Sequence, residues 1–340
     1  MAPKPTLEQS NIVDAFTPGD KNLVVEAGAG CGKTTLLKMA ARAVPNRKGM
    51  YIAYNKALRN DQPVLTPDGW KVIGDMCVGD LVIGLDGKAH SVTKVHPRGV
   101  RPMFEVVFSD GTIVVADEEH LWLTQTITYD ARPVSPVKWR IRTTQQIADT
   151  VHQKHRVPHL QAAAELNHRH DLPISSYLLG ALLGDGSFCH HAVLFSCAED
   201  DLVELVRAEL PEGHAINAQQ DGGRGRSWLI SGGRKGSQGS NKVMAALRDL
   251  GLHGHRSGTK FVPPMYLYAS AEQRLALLQG LMDTDGCASG VQSFFRTTSK
   301  QLADDVVFLA QSLGGVATVG QHENGSYLVN VRLGRVFKVI

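Results

Sequence analysis

One stretch of this chain occurs twice, and its second copy limits the folds available. Tyr177-Leu-Leu-Gly-Ala-Leu-Leu-Gly-Asp-Gly-Ser-Phe188 returns as Leu277-Leu-Gln-Gly-Leu-Met-Asp-Thr-Asp-Gly-Cys287. Each reads as an apolar helix with a glycine inside it and Asp-Gly at its end. A glycine inside a helix costs about 1 kcal/mol relative to alanine, so it needs a reason. Gly180 and Gly280 would let two helices approach backbone to backbone. Gly186 and Gly286 suit the left-handed residue that ends a helix. Ser270-Ala-Glu-Gln273 predicts a capping box at the start of the second helix. Parallel packing would bring Asp185 and Asp285 to one end. Asp283 would lie about 200° round the helix from Asp285 and is set aside as a decoy. Carboxylates suit Mg²⁺, which binds through few protein ligands and keeps its waters. Two aspartates sharing such cations can activate water and stabilise the leaving oxygen of a phosphodiester.

This doubled motif resembles that of LAGLIDADG homing endonucleases, over residues 173–320. The resemblance implies metal-dependent cutting of double-stranded DNA, with Asp185 and Asp285 as metal ligands and catalytic residues. Thr259-Lys-Phe-Val-Pro-Pro264 resembles the block that carries a catalytic lysine, which makes Lys260 an electrostatic or base-assisting candidate. In the helix that follows, Ser299 suits the N-cap. With both motifs in one chain, the resemblance implies a monomer. Residues 222–240 carry Arg224, Arg226, Trp228, Arg234 and Lys235 on a Gly-rich hairpin. Basic side chains position phosphates and a β-ribbon can enter the major groove, so these four cations are the DNA-binding candidates.

The preceding stretch has another texture. From about residue 57 to 140, short apolar-alternating runs are broken by Asp-Gly at 68–69, 86–87 and 110–111. Asp-Gly between such runs predicts tight hairpins. Residues 57–126 resemble the amino-terminal half of the Hint splicing domain of inteins. Between Met50 and Gln62 there is no Cys, Ser or Thr to serve as the usual first nucleophile. The chain is similar to the intein class that lacks this residue, marked by Trp two residues after a His, here His120-Leu121-Trp122. By that resemblance His120 distorts the amino-terminal scissile peptide, between Lys56 and Ala57, and Trp122 supports an internal nucleophile. The internal Cys and terminal Asn that splicing uses do not occur in the sequence, so the expectation is that this chain alone does not splice.

Residues 1–56 read as a strand, a Gly-rich turn and a helix. Gly28, Gly30 and Gly32 would close backbone N–H groups around phosphates, Lys33 would reach the β/γ-phosphates and Thr34 would ligate Mg²⁺ with ATP. Ala27 departs from the strict pattern. The segment resembles the amino end of UvrD/PcrA-like helicases, which accommodates Ala27 and implies an adenine contact for Gln9. No second motor motif follows; Ala116-Asp-Glu-Glu-His120 imitates one but sits among the Asp-Gly hairpins.

The expected fold class is multidomain α+β: a P-loop α/β fragment (1–56), an incomplete all-β Hint-type splicing domain (57–140), a linker or small subdomain (141–172), an α/β LAGLIDADG endonuclease domain (173–320), and returning splicing-domain strands (321–340). A net charge of +3 is too small to argue for nucleic acid by itself. Five cysteines in no metal-ligand spacing, no secretory leader and no long apolar run suggest a cytoplasmic protein with no membrane partner. The functional expectation is an intein-encoded endonuclease that cuts DNA at the insertion site in a helicase gene. The alternative is a P-loop ATPase or helicase fragment with an inactive insertion.

Overall fold

The computed structural model describes residues 57–97, 99–127, 139–166, 171–189, 191–219, 226–232, 241–289, 292–334 and 336–338. The phosphate-loop residues Gln9, Gly28, Gly30, Gly32, Lys33 and Thr34, and the basic residues Arg224, Arg234 and Lys235, lie outside them.

The first described region is built of short antiparallel hairpins. β1 (Pro63–Thr66) pairs with β2 (Gly69–Val72), β3 (Leu81–Ile83) with β4 (Ala89–Ser91), and β5 (Met103–Val107) with β6 (Ile113–Asp117). All three Asp-Gly sites fall at the turns, and Gly69, Gly87 and Gly111 have φ of 115°, 79° and 87°. That backbone is open to glycine at no steric cost. β7 (Leu121–Ile127) pairs with β8 (Arg140–Thr143) and with β9 (Lys154–Arg156). Between them lies α1 (Thr144–Ala148), started by a Thr143/Gln146 capping box. The β texture therefore runs past residue 140, through a stretch whose polar composition suggested a linker. Its alternation is hidden because in β8 the apolar Ile141 is exposed beside Arg140, while Arg142 and Thr143 are half-buried.

The second region is one plan used twice. α2 (Ser176–Asp185) is followed by β10 (Gly186–Ser187), β11 (Val193–Ser196), α3 (Asp200–Ala208), β12 (His214–Gln219), β13 (Ser227–Gly232) and α4 (Lys242–Asp249). A turn and the short α5 (Pro264–Leu267) lead into α6 (Ala271–Asp285). Then come β14 (Gly286–Ser289), β15 (Gln292–Thr297), α7 (Lys300–Ser312), β16 (Val316–Gln321) and β17 (Tyr327–Arg332). The sheets have matching orders, β10-β11-β13-β12 and β14-β15-β17-β16. Counterparts in the two halves share their last two digits: Asp185 and Asp285, Phe195 and Phe295, Leu202 and Leu302, Val206 and Val306.

This placement corrects one expectation. Residues 327–332 do not begin returning strands of the β region; they form β17, hydrogen-bonded to β15 and β16. Val329 and Val331 alternate inward and are fully buried in the same core as Leu302, Val306 and Leu309. Burying that face against α7 decides where the strand goes.

The two regions touch along a defined seam. Trp70 at the β1–β2 hairpin meets Phe308 of α7 at 6.2 Å, and Tyr268 packs edge-on against Phe308 at 5.6 Å. The strap 157–166 lies between the β3–β4 hairpin and the end of α7. Gln161 N–H donates to Leu85 O (2.9 Å), Glu165 N–H to Gly87 O (2.6 Å) and Ala164 N–H to Ser312 O (2.7 Å). Arg274, with 0% of its surface exposed, closes the seam by donating to the carbonyls of Ala269, Ser312 and Ala164. Burial lowers its pKa to about 10, so the charge is retained at neutral pH. No helix among the described residues is long and apolar enough to cross a membrane.

Candidate functional site

The two motif helices meet through their glycines, as the doubled sequence requires. A Cβ on Gly180 would run into the carbonyl of Leu277 and stand 3.1 Å from the Cα of Gly280. A Cβ on Gly280 would run into the carbonyl of Tyr177. One turn on, a Cβ on Gly184 would collide with the hydroxyl of Thr284, which fills that space. The helices start under side-chain control. Ser175 caps α2 through Leu178 N–H, and Ser270 with Gln273 forms the capping box of α6.

Their C-terminal ends differ from expectation. Gly186 and Gly286 are extended, at φ −84° and −93°, not left-handed. Each helix passes straight into a strand, and the chain folds back so sharply that a Cβ on Gly186 or Gly286 would strike the carbonyl of Leu182 or Met282. Close approach, and not the sign of φ, is what asks for glycine there.

Asp185 and Asp285 arrive together at this end. The Oδ2 of Asp285 lies 3.6 Å from the Cβ position of Gly184, the residue next to Asp185. Among the described residues neither carboxylate takes up a hydrogen bond or an ion pair. Part of Asp285 reaches solvent, yet burial by the surrounding protein, then the charge of Asp185, push its carboxyl up to about 6. Burial also raises Asp185, against the pull of Lys260. Crowded carboxylates without protein donors, backed by water-accessible surface, fit a divalent cation: it satisfies both charges and brings its own waters. Asp185 and Asp285 would hold it.

Lys260 is enclosed at the end of α2, within electrostatic reach of Asp285 and Asp185. It is 3% exposed, and its ammonium donates to the carbonyls of Leu182 (3.2 Å), Leu183 (2.8 Å), Gly184 (2.9 Å) and Gly186 (2.8 Å). The ring of Phe188 lies 5.3 Å beneath it. Burial lowers its pKa to about 8, with Asp285 and Asp185 opposing. Asp283 is also occupied: it accepts from Tyr177 OH (2.8 Å) and from Lys338 N–H (3.0 Å). The residue set aside as a decoy pins α6 to α2 and to the segment after β17. Lys338 completes the pin, with its Nζ 4.3 Å above the Tyr177 ring and 3.1 Å from Glu209.

Of the basic hairpin candidates, Arg226 is described; it pairs with Asp200 at 2.7 Å. Trp228 donates to Cys197 O at 3.0 Å and packs on the core. The outward faces of the two sheets are unlike. On the first, Ser196, Asn217 and Gln219 are exposed and neutral. On the second, Arg296 and Arg332 are exposed. In β15 and β17 only the ends alternate, Phe295-Arg296-Thr297 and Val329-Asn330-Val331-Arg332, so the period-two signal for these cations is short.

In the β region, His120 and Trp122 are brought together, rings edge-to-face at 4.8 Å. Trp122 is held by its indole N–H on Thr144 Oγ1 (3.0 Å), and Thr144 N–H donates to His120 O (3.0 Å). Nearby, Asp117 N–H donates to Ala57 O (2.9 Å) and its carboxylate pairs with Arg101 (2.8 Å). The start of the described chain thus runs beside the strand that leads to His120.

Against known proteins, residues 272–337 match the family described as a LAGLIDADG-like domain. The chain is 34% identical over 283 residues to a replicative DNA helicase DnaB of Mycobacterium intracellulare, covering 76% of this chain and 42% of that one. It is 26% identical over 257 residues to the DnaB of Rhodothermus marinus, covering 71% of this chain and 26% of that one. The chain spans less than half the length of these relatives. Among solved structures, the homing endonuclease I-DmoI in complex with DNA and Mn is 18% identical, covers 48% of this chain and 92% of its own, and has a TM-score of 0.34. The Msm DnaB1 intein splicing domain bound with zinc is 32% identical, covers 30% of this chain and 86% of its own, and has a TM-score of 0.20. This chain therefore carries a LAGLIDADG-like domain at residues 272–337, and its wider sequence similarity is to chains of DnaB helicases.

Proposed function

We propose that residues 173–338 are a metal-dependent endonuclease for double-stranded DNA, carried within an intein in a helicase-like host. The observation that carries this reading is the paired-glycine contact that brings two partnerless carboxylates to one end. A cation held by Asp185 and Asp285 would supply charge stabilisation for phosphodiester hydrolysis. The residues around it do the rest. Gly180, Gly184 and Gly280 set the spacing of the helices, Lys260 holds the end of α2, and Asp283 holds the end of α6. The two sheets would lie along the duplex. Arg296 and Arg332, with the basic 222–240 segment, would supply phosphate and base contacts. Both motif helices lie in one chain, so we propose that it acts as a monomer.

The host reading rests on residues 1–56, which resemble UvrD/PcrA-like helicases, while the curated relatives are DnaB proteins. In either case the DNA target is the uninterrupted helicase sequence across the Lys56/Ala57 junction. For splicing, we propose that His120, braced by Trp122, acts on that junction. The hydrogen bond from Asp117 to Ala57 supports this role.

The test is cleavage of plasmids carrying the uninterrupted junction, with Mg²⁺. The parent should cut, chelation should stop it, and Asp185→Asn should lower the rate by about a thousandfold or more, the scale of losing a principal charge-stabilising group. A folded parent that binds but never cuts the junction would refute the endonuclease reading.

A further inference from the structure

We propose that Asp305 and Ser299 are positioning residues for the cutting site, acting through Lys260 on the end of α2 that carries Asp185. The proposal rests on the endonuclease reading for its functional consequence, and on geometry for the strap itself.

The helix α7 belongs to the second half, yet its N-cap Ser299 and its residue Asp305 grip the backbone that directly follows the Lys260 side chain. Ser299 Oγ donates to Lys260 O at 2.6 Å, and Asp305 Oδ2 accepts from Val262 N–H at 2.7 Å. Gln301 donates to the other oxygen of Asp305 at 2.9 Å. Both gripping residues are buried, at 1% and 3% exposure. A buried carboxylate is costly unless its oxygens are satisfied. The counterpart of Asp305 in the first half is Leu205, which packs against the core as an apolar residue should. The charge at 305 is thus a departure from the repeated plan, and what it accomplishes is to fix residues 260–262.

Lys260 carries the grip to the first half. Its ammonium meets four carbonyls at the end of α2, where the unpaired C=O groups and the helix dipole leave negative charge. The equivalent end of α6 is arranged otherwise. There Thr284 Oγ1 folds back onto Gly280 O (2.9 Å) and Leu281 O (3.0 Å), and among the described residues no lysine donates to it. The strap is therefore one-sided: α7, then 260–262, then the α2 end, then Asp185. Loosening it should disturb the Asp185 end and spare the Asp285 end.

The experiment uses the full chain and four variants: Asp305→Leu, Asp305→Asn, Ser299→Ala and Lys260→Met. Amide hydrogen exchange is followed at 183–187 and at 283–287, and single-turnover cutting is measured beside metal-free DNA binding. Asp305→Leu and Lys260→Met should lose protection at 183–187 and keep it at 283–287. Cutting should fall about tenfold to a hundredfold, the scale of a small misplacement of a reacting group, with DNA affinity within about twofold of the parent. Ser299→Ala should do the same more weakly, and Asp305→Asn, which keeps an acceptor for Val262 N–H, should recover most of the rate. Equal loss of protection at both helix ends, or unchanged protection at 183–187, would overturn the strap. Should Asp305→Leu not fold, Ser299→Ala decides by the same criterion. A parent that does not cut would count against the endonuclease reading alone, since the exchange data still judge the strap.

Discussion

The β region and the duplicated region use the same ingredients, short alternating strands and tight turns, but bury them very differently. From Ile174 to Val336 a single core takes in both halves, including Tyr177, Leu178, Leu182, Phe195, Leu281, Phe295 and Val329. Among the described residues between 70 and 157 many large apolar side chains are exposed, among them Trp70, Val107, Ile113, Trp139, Ile141 and Val151. Among the described residues there the deeply buried members are few: Met76, Val92, Val115 and Ala116. Hydrophobic stabilisation scales with apolar area removed from water, so the duplicated region should be the stable unit. The β region should open first.

That contrast can be broken or sharpened by substitution. The largest effect should come from Arg274→Met at the seam. It leaves the carbonyls of Ala269, Ser312 and Ala164 without their donor, and about 3–5 kcal/mol of stability should be lost, as when one partner of a buried charged network is removed. Hydrogen exchange would read this as lost protection in both the 157–166 strap and the start of α6. Protection lost in only one of them would show that the regions are not coupled through this side chain. Next, Leu182→Ala in α2 should cost about 2–5 kcal/mol by leaving a cavity in the shared core. Denaturant unfolding followed by core amide exchange measures it.

A smaller effect of opposite sign is expected at Asp285→Asn. Its carboxyl is raised to about 6, so the folded chain holds that proton more tightly than the unfolded chain. Stability from this group is full below the ordinary carboxylate range, near pH 4, and is lost as pH rises through about 6. Removing the charge should stabilise the metal-free protein at pH 7 by on the order of 1 kcal/mol, reduced by solvent screening at a partly exposed site. A thermal melt at pH 4 and pH 7 checks it, and the variant should show less difference between them. The same titration means that cation binding should weaken as pH falls through 6. The smallest change should be Leu81→Ala in the β region, within about 0.5 kcal/mol because the side chain is already exposed. A loss as large as that of Leu182→Ala would show that the β region has a core of its own.

Much of the duplicated region was legible in the sequence because its signals are local. Gly180 and Gly280 announce a close helix contact, Ser270 and Gln273 a helix start, and Ser299 an N-cap; each needs only neighbours within a few residues. Gly186 and Gly286 were marked at the right positions for the wrong reason, since backbone crowding from four residues earlier is not visible in composition. Lys260 was found, but not the four carbonyls it serves, which lie more than seventy residues away. Arg274 and Asp305 carry no local mark of burial; only tertiary packing shows that they are buried. Arg296 and Arg332 stand singly in apolar strands, without the charge density of 222–240, and the folded sheet shows that both are exposed. In the β region, the Asp-Gly turns were legible and the pairing of β7 with β8 and β9 was not, because partner choice across long loops leaves no local mark.

The meeting of Gly184 with Thr284 has a consequence for kinship between the halves. Two copies of the first helix, placed face to face, would set glycine against glycine and leave a gap at this rung. Two copies of the second would set threonine against threonine and collide. The mixed pair fills the space at this rung, so each half is shaped to receive the other. Expressed apart, the halves should pair with each other more tightly than either pairs with its own kind.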